Sequence, residues 1–158
     1  MNRSPYIADA PTVTSIMFKV LLALVPGIAA YVWAYGGGIL VTLTLATITA
    51  VAAEAALLKL RQRPVTPYLF DMSAVVTAWL LALALPPIAP WWLIVVGTFF
   101  AIVIAKQLYG GLGYNPFNPA MVGYAVLLIS FPLIMTKWPA PLNLAQSPLS
   151  FLDQVHYI

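Results

Sequence analysis

Residues 106 to 120 read Lys-Gln-Leu-Tyr-Gly-Gly-Leu-Gly-Tyr-Asn-Pro-Phe-Asn-Pro-Ala, between long apolar runs at 91–105 and 121–135. Asn115 and Asn118 each bring a carboxamide with two donors and an acceptor. Gly110, Gly111 and Gly113 permit left-handed or closely approached backbone. Pro116 and Pro119 prevent helix continuation, and Pro119 suits a first helical position. Together these residues could hold a planar ligand rich in carbonyls and ring nitrogens, such as a flavin or quinone head. The same residues also admit a purely local role, in which the asparagines cap the following helix and satisfy its free amides. Non-helical backbone at membrane depth must be buried in protein or line a cavity, because lipid offers it no hydrogen bonds.

Two acidic residues are weaker candidates. Glu54 sits in an apolar run, five residues before Lys59. It is either half of a local Glu–Lys pair at the interface or an ion-path carboxylate. Asp71 precedes Met72 and Ser73 at the opening of the third apolar stretch, either complementing the helix dipole or anchoring a ligand. No phosphate-binding loop, dinucleotide fingerprint or catalytic triad occurs, and neither a catalytic set nor a metal site is expected.

The elements that must position these residues are membrane helices. The chain has 158 residues, 63% hydrophobic and only 7% charged, with mean hydropathy +0.96. A soluble domain carries about 25% charged residues, so there is too little polar surface to cover a water-soluble globule. Cys is absent, which excludes disulfides, iron–sulfur clusters and thiolate zinc within these residues. His156 is alone near the C-terminus, which argues against haem. The formal net charge of +3 bears on membrane orientation and implies no nucleic-acid partner.

Five stretches approach the roughly 20 apolar residues a span needs: 16–35, 39–60, 69–85, 91–108 and 119–135. Gly36-Gly37-Gly38 separates the first two, and Arg61-Gln62-Arg63-Pro64 the next. Pro86-Pro87 with Pro90 makes a tight turn before the fourth. Trp33, Tyr35, Trp91 and Trp92 fall where an interfacial aromatic belt would put them. Thr42, Thr44, Thr47 and Thr49, with Gly27, Ala29 and Ala30, read as small-residue helix packing. The expected fold is an all-α integral membrane protein of about five spans. Residues 1–15 form a cytoplasmic segment without a cleavable signal, 16–135 the transmembrane domain, and 136–158 an extracytoplasmic tail.

Charge placement carries that orientation. Arg3 and Lys19 flank the first span on its N-terminal side, Lys59, Arg61 and Arg63 follow the second, and Lys106 lies between the fourth and fifth. The other two connections are uncharged. Basic residues stay inside, which outweighs Lys137 and puts the N-terminus in the cytoplasm. The tail, rich in proline, ends at Tyr157-Ile158 without a capping or turn signal, so the chain is expected to be one half of a two-half protein.

The run AKQLYGGLGYNPFNPAMVGYAVLLISFP, with VPGIAA near Val25 and LALPPIAPWW near Trp91, resembles the D subunits of Rnf-type ion-translocating oxidoreductases, which are electron transport complexes. More distantly it is similar to the B subunit of the Na+-translocating NADH:quinone oxidoreductase. The likeness covers the chain from about Ser4 onward and places it as an N-terminal half. It implies a ten-helix bundle of two inverted halves in a bacterial inner membrane, working with other membrane and peripheral subunits. That complex couples ferredoxin/NAD redox to Na+ or H+ movement. The resemblance also implies one FMN bound covalently to a threonine in an S/T-G-A-T-like motif, and a second, noncovalent riboflavin-like flavin near the cytoplasmic helix ends. Carried onto this sequence, Asn115 and Asn118 become contacts for the second flavin, with Gly110, Gly111, Asp71 and Ser73 as weaker ones. The S/T-G-A-T-like motif does not occur in these 158 residues, so the attachment threonine is expected beyond Ile158. The competing reading is a small transporter or channel half, with Glu54 and Asp71 coordinating an ion at a broken helix.

Overall fold

A computed structural model describes residues 11–145 and 147–158; Arg3, Asp9 and Gln146 lie outside the described residues. All regular structure in them is helical, which establishes the all-α membrane fold. Helix α1 (Val13–Tyr35) starts three residues before the expected span, with the Thr12 side chain accepting from the Ser15 amide at 3.2 Å. Lys19 therefore lies inside this helix rather than flanking it. Helix α2 (Gly38–Leu60) follows the glycine turn. The third span, expected at 69–85, starts later as α4 (Ser73–Ala84) and is preceded by a short helix, α3 (Val65–Leu69), the two separated where Met72 takes φ +61°. Helix α5 (Trp91–Phe99) continues into an eight-residue π-helix (Phe100–Gln107). Helix α6 (Pro119–Ser130) is followed after Phe131 by one turn, α7 (Pro132–Met135), because Pro132 cannot donate to the preceding turn. Val13–Tyr35, Gly38–Leu60 and Val65–Ala84 are long and apolar enough to cross a membrane, and Trp91–Gln107 and Pro119–Ser130 are shorter apolar helices.

Helix α2 is the centre of the bundle, packed on α4 and α5, with α6 against α5 and the π-helix. Leu43, Ala46, Ala50, Ala78, Leu81 and Ile94 fill the space between them. A close helix crossing joins α5 to α6 through Gly97 and Gly123. A Cβ on Gly123 would stand 2.6 Å from the Gly97 carbonyl oxygen, and one on Gly97 would stand 2.5 Å from Leu127 Cδ1. Gly27, expected to be a packing glycine, has nothing within 4 Å of its Cβ position. The α2 threonines close on their own helix: Thr44, Thr47 and Thr49 donate to the carbonyls four residues earlier at 2.7–2.8 Å. That satisfies their hydroxyls where lipid could not. Thr47 additionally accepts from Trp79 Nε1 at 3.1 Å, tying α2 to α4.

The tail is more ordered than its prolines suggest. Helix α8 (Phe151–Tyr157) opens on a capping box, in which Ser150 and Asp153 satisfy each other's backbone amides. It is latched to the first turn of α2 by Gln154, whose Oε1 accepts from the Gly38 amide at 2.8 Å. The Gln154 Nε2 donates to the Leu149 carbonyl at 3.2 Å, the Leu142 amide donates to the Ala34 carbonyl at 2.7 Å, and the Trp91 amide donates to the Ile158 carbonyl. Gly36, at φ +94°, leaves the space that the Gln154 amide fills. Changing Gln154 to Ala strands the buried Gly38 amide, which costs about 1–3 kcal/mol. The expected result is a lower melting temperature in detergent, and an unchanged one would show that the latch is not needed.

Candidate functional site

The most polar region inside the bundle lies where α2, α4 and the π-helix meet. Lys106 Nζ donates to Glu54 Oε1 at 2.7 Å and to Ser73 Oγ at 2.7 Å. Gln107 Nε2 reaches the same Glu54 oxygen at 2.6 Å. Ser73 donates through its hydroxyl to Asp71 Oδ1, which also accepts from the Ser73 amide at 2.7 Å. Lys106 and Glu54 are each 1% exposed. Charges so deep in an apolar protein persist only when paired and hydrogen-bonded. Lys106 and Gln107 close a π-helix, a form that recurs at functional sites, and both reach the same Glu54 oxygen. The C-terminal carbonyls of this π-helix are closed by Arg61, which donates to the Gln107 carbonyl, and by the Gly111 amide, which donates to the Lys106 carbonyl at 3.0 Å.

Glu54 therefore pairs across 52 residues with Lys106 and not locally with Lys59. Lys106, counted as a connecting-loop cation from sequence, is a buried wall residue. The signal was present: Glu54 and Lys106 each interrupt a long apolar run, and opposite charges inside a membrane bundle seek each other. Asp71 falls two residues before α4, outside its first turn, and accepts from the Ser73 amide there.

The connection from 108 to 118 returns the chain to α6. Gly110, Gly111 and Gly113 have φ of +113°, +101° and +88°, backbone open to glycine at little cost. Asn118 caps α6, its Oδ1 accepting from the Ala120 amide at 3.0 Å. Asn115 Nδ2 donates to the Phe117 carbonyl at 2.8 Å. These local bonds use Asn118 Oδ1 and one Asn115 proton, and among the described residues Asn115 Oδ1 and Asn118 Nδ2 have no hydrogen-bond partner.

Asn115, Asn118, Ser73 and Lys106 line one cavity of about 260 Å3, with Thr77 and apolar walls from Met17, Val76, Leu80, Leu112 and Pro119. Asp71 and Gly110 belong to an adjoining cleft of about 510 Å3 with Arg63, Tyr68, Tyr109 and Tyr114, and Leu112 lines both spaces. Of the six residues singled out from sequence, three share the cavity and two the cleft; Gly111 lines neither and instead ends the π-helix. The donors left on the cavity wall are carboxamides and an ammonium beside apolar side chains, a set that could meet the carbonyls and ring nitrogens of a flat hydrophobic ligand such as a flavin. The neighbouring cleft offers room for a polar side chain of the ligand. Arg63 beside Gly110 also places the glycine–asparagine connection at the basic end of the bundle, whereas the latch of α8 lies at the Gly36–Gly38 end.

Known proteins match this chain over nearly its whole length. The D subunit of the ion-translocating oxidoreductase complex of Shigella dysenteriae serotype 1 is 55% identical over 155 residues, covering 98% of this chain and 44% of the relative. The protein of the same name from Escherichia coli K12 is 54% identical with the same coverage. The chain thus spans less than half the length of these relatives. Residues 1–157 match the model of the NQR2, RnfD, RnfE family, and the chain belongs to that family.

Proposed function

We propose that the chain is part of a membrane flavoprotein subunit of an ion-translocating electron-transfer complex, relaying electrons through a noncovalent flavin held between α4, the π-helix and the start of α6. The complex couples ferredoxin/NAD redox to Na+ or H+ movement, together with further membrane and peripheral subunits. The observation that carries the reading is the convergence of Asn115, Asn118, Ser73 and Lys106 on one cavity; the names borne by the relatives supply the redox and ion-translocating context. A bound flavin supplies reversible electron transfer, and the protein supplies position and polarity. Asn115 and Asn118 would hold the group by hydrogen bonds, while Met17, Val76 and Leu80 would keep water from it. Covalent FMN is assigned outside these residues, since the attachment motif is not among them. The protein sits in the bacterial inner membrane with its N-terminus and the glycine–asparagine connection cytoplasmic. Lys59, Arg61 and Arg63 support that orientation, set against the uncharged connections at 36–38 and 86–90.

The test is the pair of changes Asn115→Ala and Asn118→Ala, made together in the intact complex. The noncovalent flavin released on denaturation should fall at least tenfold while the folded yield is retained. Unchanged flavin content would remove the site assignment. A second expectation concerns FMN: the 158-residue chain expressed alone shows no fluorescent band after denaturing electrophoresis. A fluorescent band would put an attachment point inside it.

A further inference from the structure

Lys106 stands out because its charge is almost completely buried, yet it forms part of a cavity wall. An ammonium has three protons to donate. One goes to Glu54 and one to Ser73, and the third remains for whatever fills the cavity. The arrangement is directional. Lys106 and Ser73 line the space, whereas Glu54 does not and lies behind the ammonium. The hydroxyl of Ser73 is turned away toward Asp71, so Ser73 offers Lys106 its lone pair. The pair is therefore a dipole with its positive end toward the cavity, in surroundings too apolar to screen it. Glu54 also holds a second buried oxygen, Oε2, without a hydrogen-bond partner among the described residues. The carboxylate is thus less fully compensated than the ammonium.

Resting on the flavin reading of this cavity, we propose that Lys106 is the residue that tunes the ligand's redox balance. Its ammonium holds the electron-rich, reduced form of the ring more tightly than the oxidised form, and Glu54 sets how strongly it does so by partly cancelling its charge. Asn115 and Asn118 determine whether the ligand binds, and Lys106 determines which oxidation state is favoured. The Lys106–Glu54 pair makes that preference adjustable from either member.

The two charges consequently act in opposite directions, which a purely structural pair would not do. Glu54→Gln keeps an amide oxygen for Lys106 but removes the counter-charge. The double change K106M/E54Q removes both charges and leaves no ion buried alone. In the intact complex, with riboflavin as the bound probe, the midpoint potential is read by spectroelectrochemical titration against the parent. Glu54→Gln should favour the reduced form, and the double variant should favour the oxidised form by about tenfold. Tenfold corresponds to about 59 mV for one electron or about 30 mV for two. Shifts of the same sign, or none beyond twofold in either variant with flavin still bound, overturn the role of Lys106. If Asn115→Ala with Asn118→Ala still empties the site in that case, the flavin reading stands without it. If that pair instead retains its flavin, both readings fall together.

Discussion

Lys106→Met, made while Glu54 is left in place, is expected to destabilise the bundle by about 3–5 kcal/mol, the usual consequence of removing one partner of a buried ion pair. The change is close in volume and apolar, so packing is not the cause. What it leaves is a carboxylate 1% exposed, with Gln107 as its remaining donor at 2.6 Å. Neither lipid nor water reaches it at low cost. The effect should be larger than that of the double change K106M/E54Q, where the second substitution removes the stranded charge. Thermal unfolding in detergent, followed by helical circular dichroism, separates the cases. A single variant as stable as the double one would mean that Glu54 is already accommodated without Lys106.

Gly123→Val is the second large effect. The Cβ alone would stand 2.6 Å from the Gly97 carbonyl oxygen and 3.1 Å from Ala101 Cβ. Both neighbours belong to the helical run 91–107, so neither can swing aside as a flexible side chain would. Helix α6 must then move away from α5, giving up the contact and the dispersion energy that small residues provide between membrane helices. Overpacking usually costs about 1–3 kcal/mol, and a clash with backbone belongs at or above the upper end. Because Asn118 begins α6, the displacement also carries it from the cavity wall. Flavin content and thermal stability should therefore fall together. Gly27→Val is the control: its Cβ position is open, and it should change neither. Equal losses in both variants would point to general intolerance of valine at helical glycines.

The helices were legible because each reported itself twice, by apolar length and by the chemistry of its ends. Gly36-Gly37-Gly38, Arg61–Pro64 and Pro86-Pro87 are breaks that no packing could override. The glycine–asparagine connection was equally visible, and of the two alternatives left open for Asn118 the cap is the one seen, made by its side-chain oxygen. Three features were not legible. The interruption at residues 70–72 rests on the left-handed Met72, a conformation that sequence does not announce for a methionine. Which glycines pack is a matter of rotation about helix axes, so composition points to Gly27 where Gly97 and Gly123 make the close crossing. The π-helix has no composition of its own, and without it Lys106 reads as the first residue of a loop. The capping box of α8 could have been found, since Ser150 stands three residues before Asp153.

The pairing of Glu54 with Lys106 also imposes an order on biosynthesis. Helix α2 leaves the ribosome 52 residues before the lysine that neutralises it. At about 5–20 residues per second, that interval is roughly 3–10 s. During it a nascent bundle carries an acidic side chain whose permanent partner has not yet been made. Glu54 lies six residues from the end of α2, about 9 Å along the axis, near enough for its carboxylate to reach the interface and wait in water. Helix α2 is therefore expected to settle to its final depth only after the fourth membrane segment arrives. That settling would then be the joint withdrawal of two charges from the aqueous boundary.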